Sequence, residues 1–148
     1  MTTHHLAQLN IARLTAPLDS PPLADFVANL DRINALAESS PGFVWRLKDE
    51  AGDATAIRPL GDDTLINVSV WQDLASLQAF VYRSAHVEIM KRRKEWFEAM
   101  AEAFVVLWWV PAGHQPTAQE AVDRLALLRR DGPTPQAFGF KSAFGSPA

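Results

Sequence analysis

Apolar and polar residues change their spacing several times along this chain, and each change marks an element. From Leu6 to Arg13, the residues Ala7, Leu9 and Ile11 alternate with Gln8 and Asn10, the period-two signature of a first strand with one amide-bearing face. The period then lengthens. Leu23, Phe26, Val27, Leu30, Ile33 and Ala37 share one stripe of a helix expected from about Pro22 to Glu38. Pro21-Pro22 suits its first turn, where no N–H is needed, with Asp19 or Ser20 as the cap. Ser39-Ser40-Pro41-Gly42 ends it, and Phe43 to Lys48, containing Trp45 and Arg46, predicts strand two.

Residues 49–63 are rich in Asp, Gly and Ala and predict the long loop of a hairpin. Strand three follows as Leu65 to Trp71. Ile66, Val68 and Val70 lie on one of its faces and Asn67, Ser69 and Trp71 on the other. Asp73 offers an N-cap for a helix to Arg83 carrying Leu74, Leu77, Phe80 and Val81, with a break at Ser84-Ala85-His86 and a second segment to about Glu102. Phe104 to Val110 predicts strand four, stopped by Pro111 and Gly113. Thr117 and Glu120 form a capping-box pattern before Ala121, Val122, Leu125 and Leu128, and Gly132-Pro133 stops that helix. Phe138, Phe140 and Phe144 make the tail too aromatic to be solvated, so it is expected to dock on the domain or on a partner.

The order strand-helix-strand-strand-helix-strand, with right-handed crossovers, predicts an α+β fold: a ferredoxin-like βαββαβ antiparallel sheet, with an added C-terminal helix and tail. Strands one and three are then central neighbours, which places Gln8 and Asn10 beside Asn67, Ser69 and Trp71. We expect Ile66, Val68 and Val70 to hold the helices. The amide face would lie on the opposite side, open unless a second copy covers it as a homodimer.

Composition narrows the class. A chain of 148 residues suits one domain over 1–148, its core at about 5–111 and the added helix and tail at 112–148. With 48% hydrophobic residues, five Trp and eight Phe it has material for a core, and 21% charged residues suit a globular protein. A net charge of -3 argues against nucleic acid as a partner, for which a basic stripe is the usual footprint. The lack of cysteine excludes disulfides, thiolate metal sites and cysteine nucleophiles, and fits a cytoplasmic setting. No apolar run approaches the roughly 18 residues of a membrane span, so no membrane partner is expected.

The phrases AQLNIA, SPGFVWRL, VSVWQDLASLQAFVYRSAH, RRKEWF, VVLWWVPAGHQPTAQEAVDRLALL and GPTPQAFGF together resemble the DUF3291 family of uncharacterised bacterial proteins. That family is placed in the dimeric α/β-barrel superfamily, with small cofactor-independent monooxygenases and several haem-using enzymes. The resemblance implies a homodimeric barrel with a small-molecule ligand and either no cofactor or haem. In the cofactor-independent monooxygenases an Asn and a Trp spaced like Asn67 and Trp71 line the site.

The candidate chemistry follows from residue types. An amide at Asn67 can orient a carbonyl or meet developing oxyanion charge, and the Trp71 indole can pack on an aromatic substrate or donate to it. Gln8, Asn10 and Ser69 would contact the substrate. His86, at the helix break, would serve as base, and in the haem alternative as axial ligand. Against these stand structural readings: Trp71 as core, His86 as a capping or packing residue, and the whole chain as a non-catalytic binding or structural dimer. His4, His5 and His114 form no metal-ligand spacing. Arg46, Arg92 and Arg93 are read as solvated cations that could bind a carboxylate or phosphate. Trp96 and Phe97 are expected to pack the second helical region. No Walker loop, dinucleotide fingerprint, HExxH or GxSxG motif is present.

Overall fold

The computed structural model describes residues 3–49, 52, 54–84 and 86–147, without the side chains of His86 and Ile89. Strands β1 (His4–Arg13), β2 (Phe43–Arg46), β3 (Thr64–Trp71) and β4 (Val105–Pro111) form one antiparallel sheet in the order β2-β3-β1-β4. The helices are α1 (Ala24–Ser39), α2 (Leu74–Arg83), α3 (His86–Lys91), α4 (Arg93–Trp96) and α5 (Ala118–Asp131). This is the expected α+β, ferredoxin-like order with β1 and β3 at the centre.

Local signals set the boundaries. Asp73 caps α2 by accepting from the Ser76 amide at 2.8 Å, and Thr117 caps α5 by accepting from the Glu120 amide at 3.0 Å. Glu120 departs from the capping-box pattern: its carboxylate accepts from the buried Trp108 indole at 3.0 Å and meets His114 Nε2 at 2.6 Å. Gly42, at φ 84, joins α1 to β2 where a Cβ would lie 2.1 Å from Ser76 Oγ. A side chain there would collide with α2.

The second helical region is shorter than expected. It ends at Trp96 because the chain then turns onto β1: Phe97 bridges Leu14, the Thr15 amide donates to the Trp96 carbonyl at 2.9 Å, and the Glu98 amide donates to the Arg13 carbonyl at 2.8 Å. Trp96, as expected, is packed, at 1% exposure.

The two faces of the sheet are covered in the opposite sense to the one expected. Ala7, Leu9, Ile11, Ile66, Val68, Val70, Val106, Trp108 and Val110 form a buried cluster with Ala121, Leu125 and Leu128 of α5, flanked by Trp45, Leu47 and Ile57. On the other face, Leu6, Trp71 and Leu107 pack with Ala37 of α1, Leu77 of α2 and Phe138 of the tail. Thus α1 and α2 lie over the amide-bearing face, and α5 takes the aliphatic one. Right-handed crossovers place α1 and α2 on a common side; the added helix supplies the third layer that the aliphatic face needs. Trp71, on which the expectation of an exposed apolar patch rested, is therefore covered by helices of its own chain.

The tail docks on its own sheet. Phe138 pairs with Leu107, its amide donating at 2.9 Å and its carbonyl accepting at 2.7 Å, and its side chain is fully buried.

Candidate functional site

The amide face is not filled by side chains. A cavity of about 740 Å³, within the roughly 300–1,000 Å³ of small-molecule sites, separates it from α1 and extends past the sheet to Ile66, Leu128 and Gly132. The apolar stripe of α1 explains this space. Phe26, Leu30 and Ile33 are only half-buried and line the cavity with Asn29 and Asn34, while Ala37 at the end of the helix reaches the buried cluster. The non-catalytic structural reading expected a packed inner face, and a roomy one of mixed polarity replaces it.

Register assembles the floor. On β1 and β3, Gln8 faces Ser69, Asn10 faces Asn67 and Leu6 faces Trp71, while β2 places Arg46 opposite Ser69 and Phe43 opposite Trp71. Gln8 Nε2 donates to Asn67 Oδ1 and to Ser69 Oγ, each at 2.7 Å. Ser69 Oγ also accepts from the Trp71 indole at 2.9 Å. Asn10 Nδ2 reaches Gln8 Oε1 at 3.3 Å and Asn67 Oδ1 at 3.5 Å. Five of the six expected site residues, Gln8, Asn10, Asn67, Ser69 and Trp71, therefore form one connected chain along three registers.

Burial separates their roles. Gln8 and Ser69 are buried at 5% and 6% exposure and need the partners they have. Trp71 is 1% exposed, stacks on Phe80 at 5.2 Å and meets Phe43 edge-on at 5.4 Å. Its N–H, expected to donate to a substrate, is already bonded to Ser69, because an indole has a single donor and the nearby hydroxyl satisfies it. Asn67 is the exposed member. Its Oδ1 is held by Gln8, and among the described residues its Nδ2 has no partner, so the amide offers N–H donors at the cavity floor.

His86 opens α3, directly after α2, whose Phe80, Val81 and Tyr82 line the cavity. Its side chain lies outside the described structure, and with it both roles expected of this residue, base and haem ligand. His114 is bound to Glu120 beside α5, and His4 Nδ1 lies 3.0 Å from Thr3 Oγ1. Among the described residues no three His, Cys, Asp or Glu side chains converge as metal ligands, and no helix is long and apolar enough to cross a membrane.

One cation expected to be solvated, though able to bind a carboxylate or phosphate, is nearly buried at the cavity. Arg46, read as a solvated cation, has a side chain only 10% exposed and lies on the cavity side of β2. The available signal was its place in FVWR, a strand rather than a helical face. An exposed ion-pair cluster joins α1 to α4. Arg92 donates to Asp25 and Glu95 at 2.8 Å each and lies 4.8 Å over the Trp96 ring. These hydrogen bonds raise the Arg92 pKa and hold the Glu95 carboxyl below its ordinary range.

The family model described as Domain of unknown function (DUF3291) matches residues 5–148. Among curated proteins nothing matches the chain in sequence. Among solved structures, PA3566 from Pseudomonas aeruginosa is similar at TM-score 0.51 and 10% identity, covering 77% of this chain and 99% of that one. SnoaB, a cofactor-independent oxygenase from Streptomyces nogalater, is similar at TM-score 0.46 and 15% identity, covering 76% and 96%. A dabb family protein with a ferredoxin-like fold from Mesorhizobium loti is similar at TM-score 0.45 and 16% identity, covering 74% and 99%.

Proposed function

The chain belongs to the DUF3291 family, and from that premise we propose that its cavity is the site of a small-molecule enzyme of the cofactor-independent monooxygenase kind. The substrate is an aromatic or polyketide-like compound with an acidic enol or phenol. The observation that carries the reading is the Asn67 amide: unpartnered at Nδ2, exposed at the floor of a largely apolar cavity, and fixed at Oδ1 by the buried Gln8.

The chemistry follows from that placement. A substrate enol oxygen seated on Asn67 Nδ2 gains charge as its proton leaves, and a preoriented N–H lowers the energy of that anion without reorganising. The resulting enolate passes one electron to dioxygen; the substrate radical and superoxide combine into a carbon-bound peroxide, which takes up a proton and loses water, so that one oxygen atom becomes a new carbonyl and the other leaves as water. Gln8, Ser69 and Trp71 act as positioning residues that hold the Asn67 amide, and Asn10 flanks it. Phe80, stacked on Trp71, and Phe43, edge-on to it, give the substrate ring an aromatic wall. His86 is the proposed proton acceptor. The floor and walls described come from one chain, so the proposed chemistry does not require a second copy.

Dioxygen uptake with anthrone-type and dihydroxynaphthalene substrates tests the proposal. Asn67→Ala is expected to lower the rate by about 10²-fold, the usual cost of an oxyanion donor, with the fold intact. Uptake by the parent protein no faster than in buffer, across the panel, would sink it.

A further inference from the structure

Arg46 is a buried cation without a matching partner. Its side chain is 10% exposed, its nearest carboxylate among the described residues is Glu38 Oε1 at 3.5 Å from a terminal nitrogen, and its Nε is sealed from solvent with no hydrogen-bond partner among them. A guanidinium carries five N–H donors in a planar fork, and leaving them unpaired inside a protein is costly. A single contact to Glu38, itself 43% exposed, does not meet that demand.

The surrounding charge points the same way. The protein is net negative, at -3, yet the cavity is lined by Arg46, Arg93 and Lys141 and by no carboxylate among the described lining residues. Arg93 is partly occupied, its guanidinium lying 4.6 Å over the Phe104 ring. Arg46 is better placed than either: cross-strand from Ser69, it stands at the edge of the amide network and beside the Phe43–Trp71 wall.

We propose that the cavity takes an organic anion: a carboxylate on an aromatic or polyketide-like body, with Arg46 as the anchoring residue. The carboxylate replaces Glu38 as the partner of the guanidinium, and the planar fork matches its two oxygens. The apolar body then extends along Phe43 and the cavity floor towards Asn67. This inference rests on the cavity being the ligand site and adds the class of ligand it selects.

The test uses matched probes that differ only in charge: naphthoate with naphthamide, and anthraquinone carboxylate with its amide, titrated into the full chain and read by tryptophan fluorescence. The parent should bind each acid about tenfold more tightly than its amide. Arg46→Gln should erase that preference by weakening each acid about tenfold more than its amide, and Arg46→Lys should retain only part of it, because the charge survives and the fork does not. Arg46→Gln should also melt no lower than the parent, since the change removes an under-paired buried cation; a large drop, with Arg46→Lys keeping the full preference, would make the residue a structural partner of Glu38 and overturn the inference. Equal binding of acid and amide to the parent would overturn the inference alone. No binding by any of the four probes would overturn the ligand-site reading beneath it.

Discussion

The two faces of the central sheet are built from alternate residues of the same strands and have opposite fates. The face of Leu9, Val68 and Val106 is closed by α5, each of these side chains at 1% exposure or less. The face of Gln8, Asn67 and Ser69 has helices above it but is held away from α1 by a cavity. A period of two therefore does more than bury one side of a strand. It assigns stability to one face and frees the other for polar groups that a packed core would not tolerate.

Breaking the closed face should have the largest effect. Leu125→Ala removes a buried side chain between α5 and the sheet and should cost about 2–5 kcal/mol in denaturant unfolding, with no preferential effect on ligand binding. The hidden part of the open face comes next. Ser69→Ala takes away the acceptor of the Trp71 indole and one acceptor of Gln8, and should cost about 1–3 kcal/mol because buried donors are left unpaired. It should also weaken ligand binding by loosening Asn67. A smaller loss, of about 1 kcal/mol, is expected from Thr117→Ala, which uncaps α5 and touches only the closed face.

Acid should probe the contact between α1 and α4. Glu95 is held below its ordinary value of 4.5 by the Arg92 hydrogen bond, so its contribution to stability is present above that pH and is lost as the pH falls through the lowered value. In thermal melts from about pH 5 down to about pH 3, the parent should lose a small advantage over Glu95→Gln; parallel curves would contradict this.

Much of this was legible in the sequence because the signals were local. Strand alternation at Gln8 and Asn67, the caps at Asp73 and Thr117, and the strand order that brings β1 against β3 all appear as written. The open face was legible as a set of residues but not in its placement. Alternation distinguishes an apolar side from a polar one without saying which side the crossover helices cover, and the natural guess gave them the apolar side. The stripe of Ala121, Leu125 and Leu128 carried the missing information, since a helix with such a face must bury it somewhere, and only the aliphatic side matched. The burial of Arg46 was missed for a related reason: its place in the strand FVWR gave the face, but the cover comes from α1, a long-range partner. The end of the second helical region at Trp96 likewise depends on pairing with β1.

The most direct test of a closed face opposite an open one uses signals already built into the two sides. In proton–nitrogen NMR spectra, the indole N–H of Trp71 reports on the open face, that of Trp108 on the closed face, and the side-chain amide of Asn67 on the cavity floor. Titration with naphthoate should shift the Asn67 and Trp71 signals together and leave Trp108 in place. A shift at Trp108 with Asn67 unmoved, or no shift at any of the three, would contradict the account.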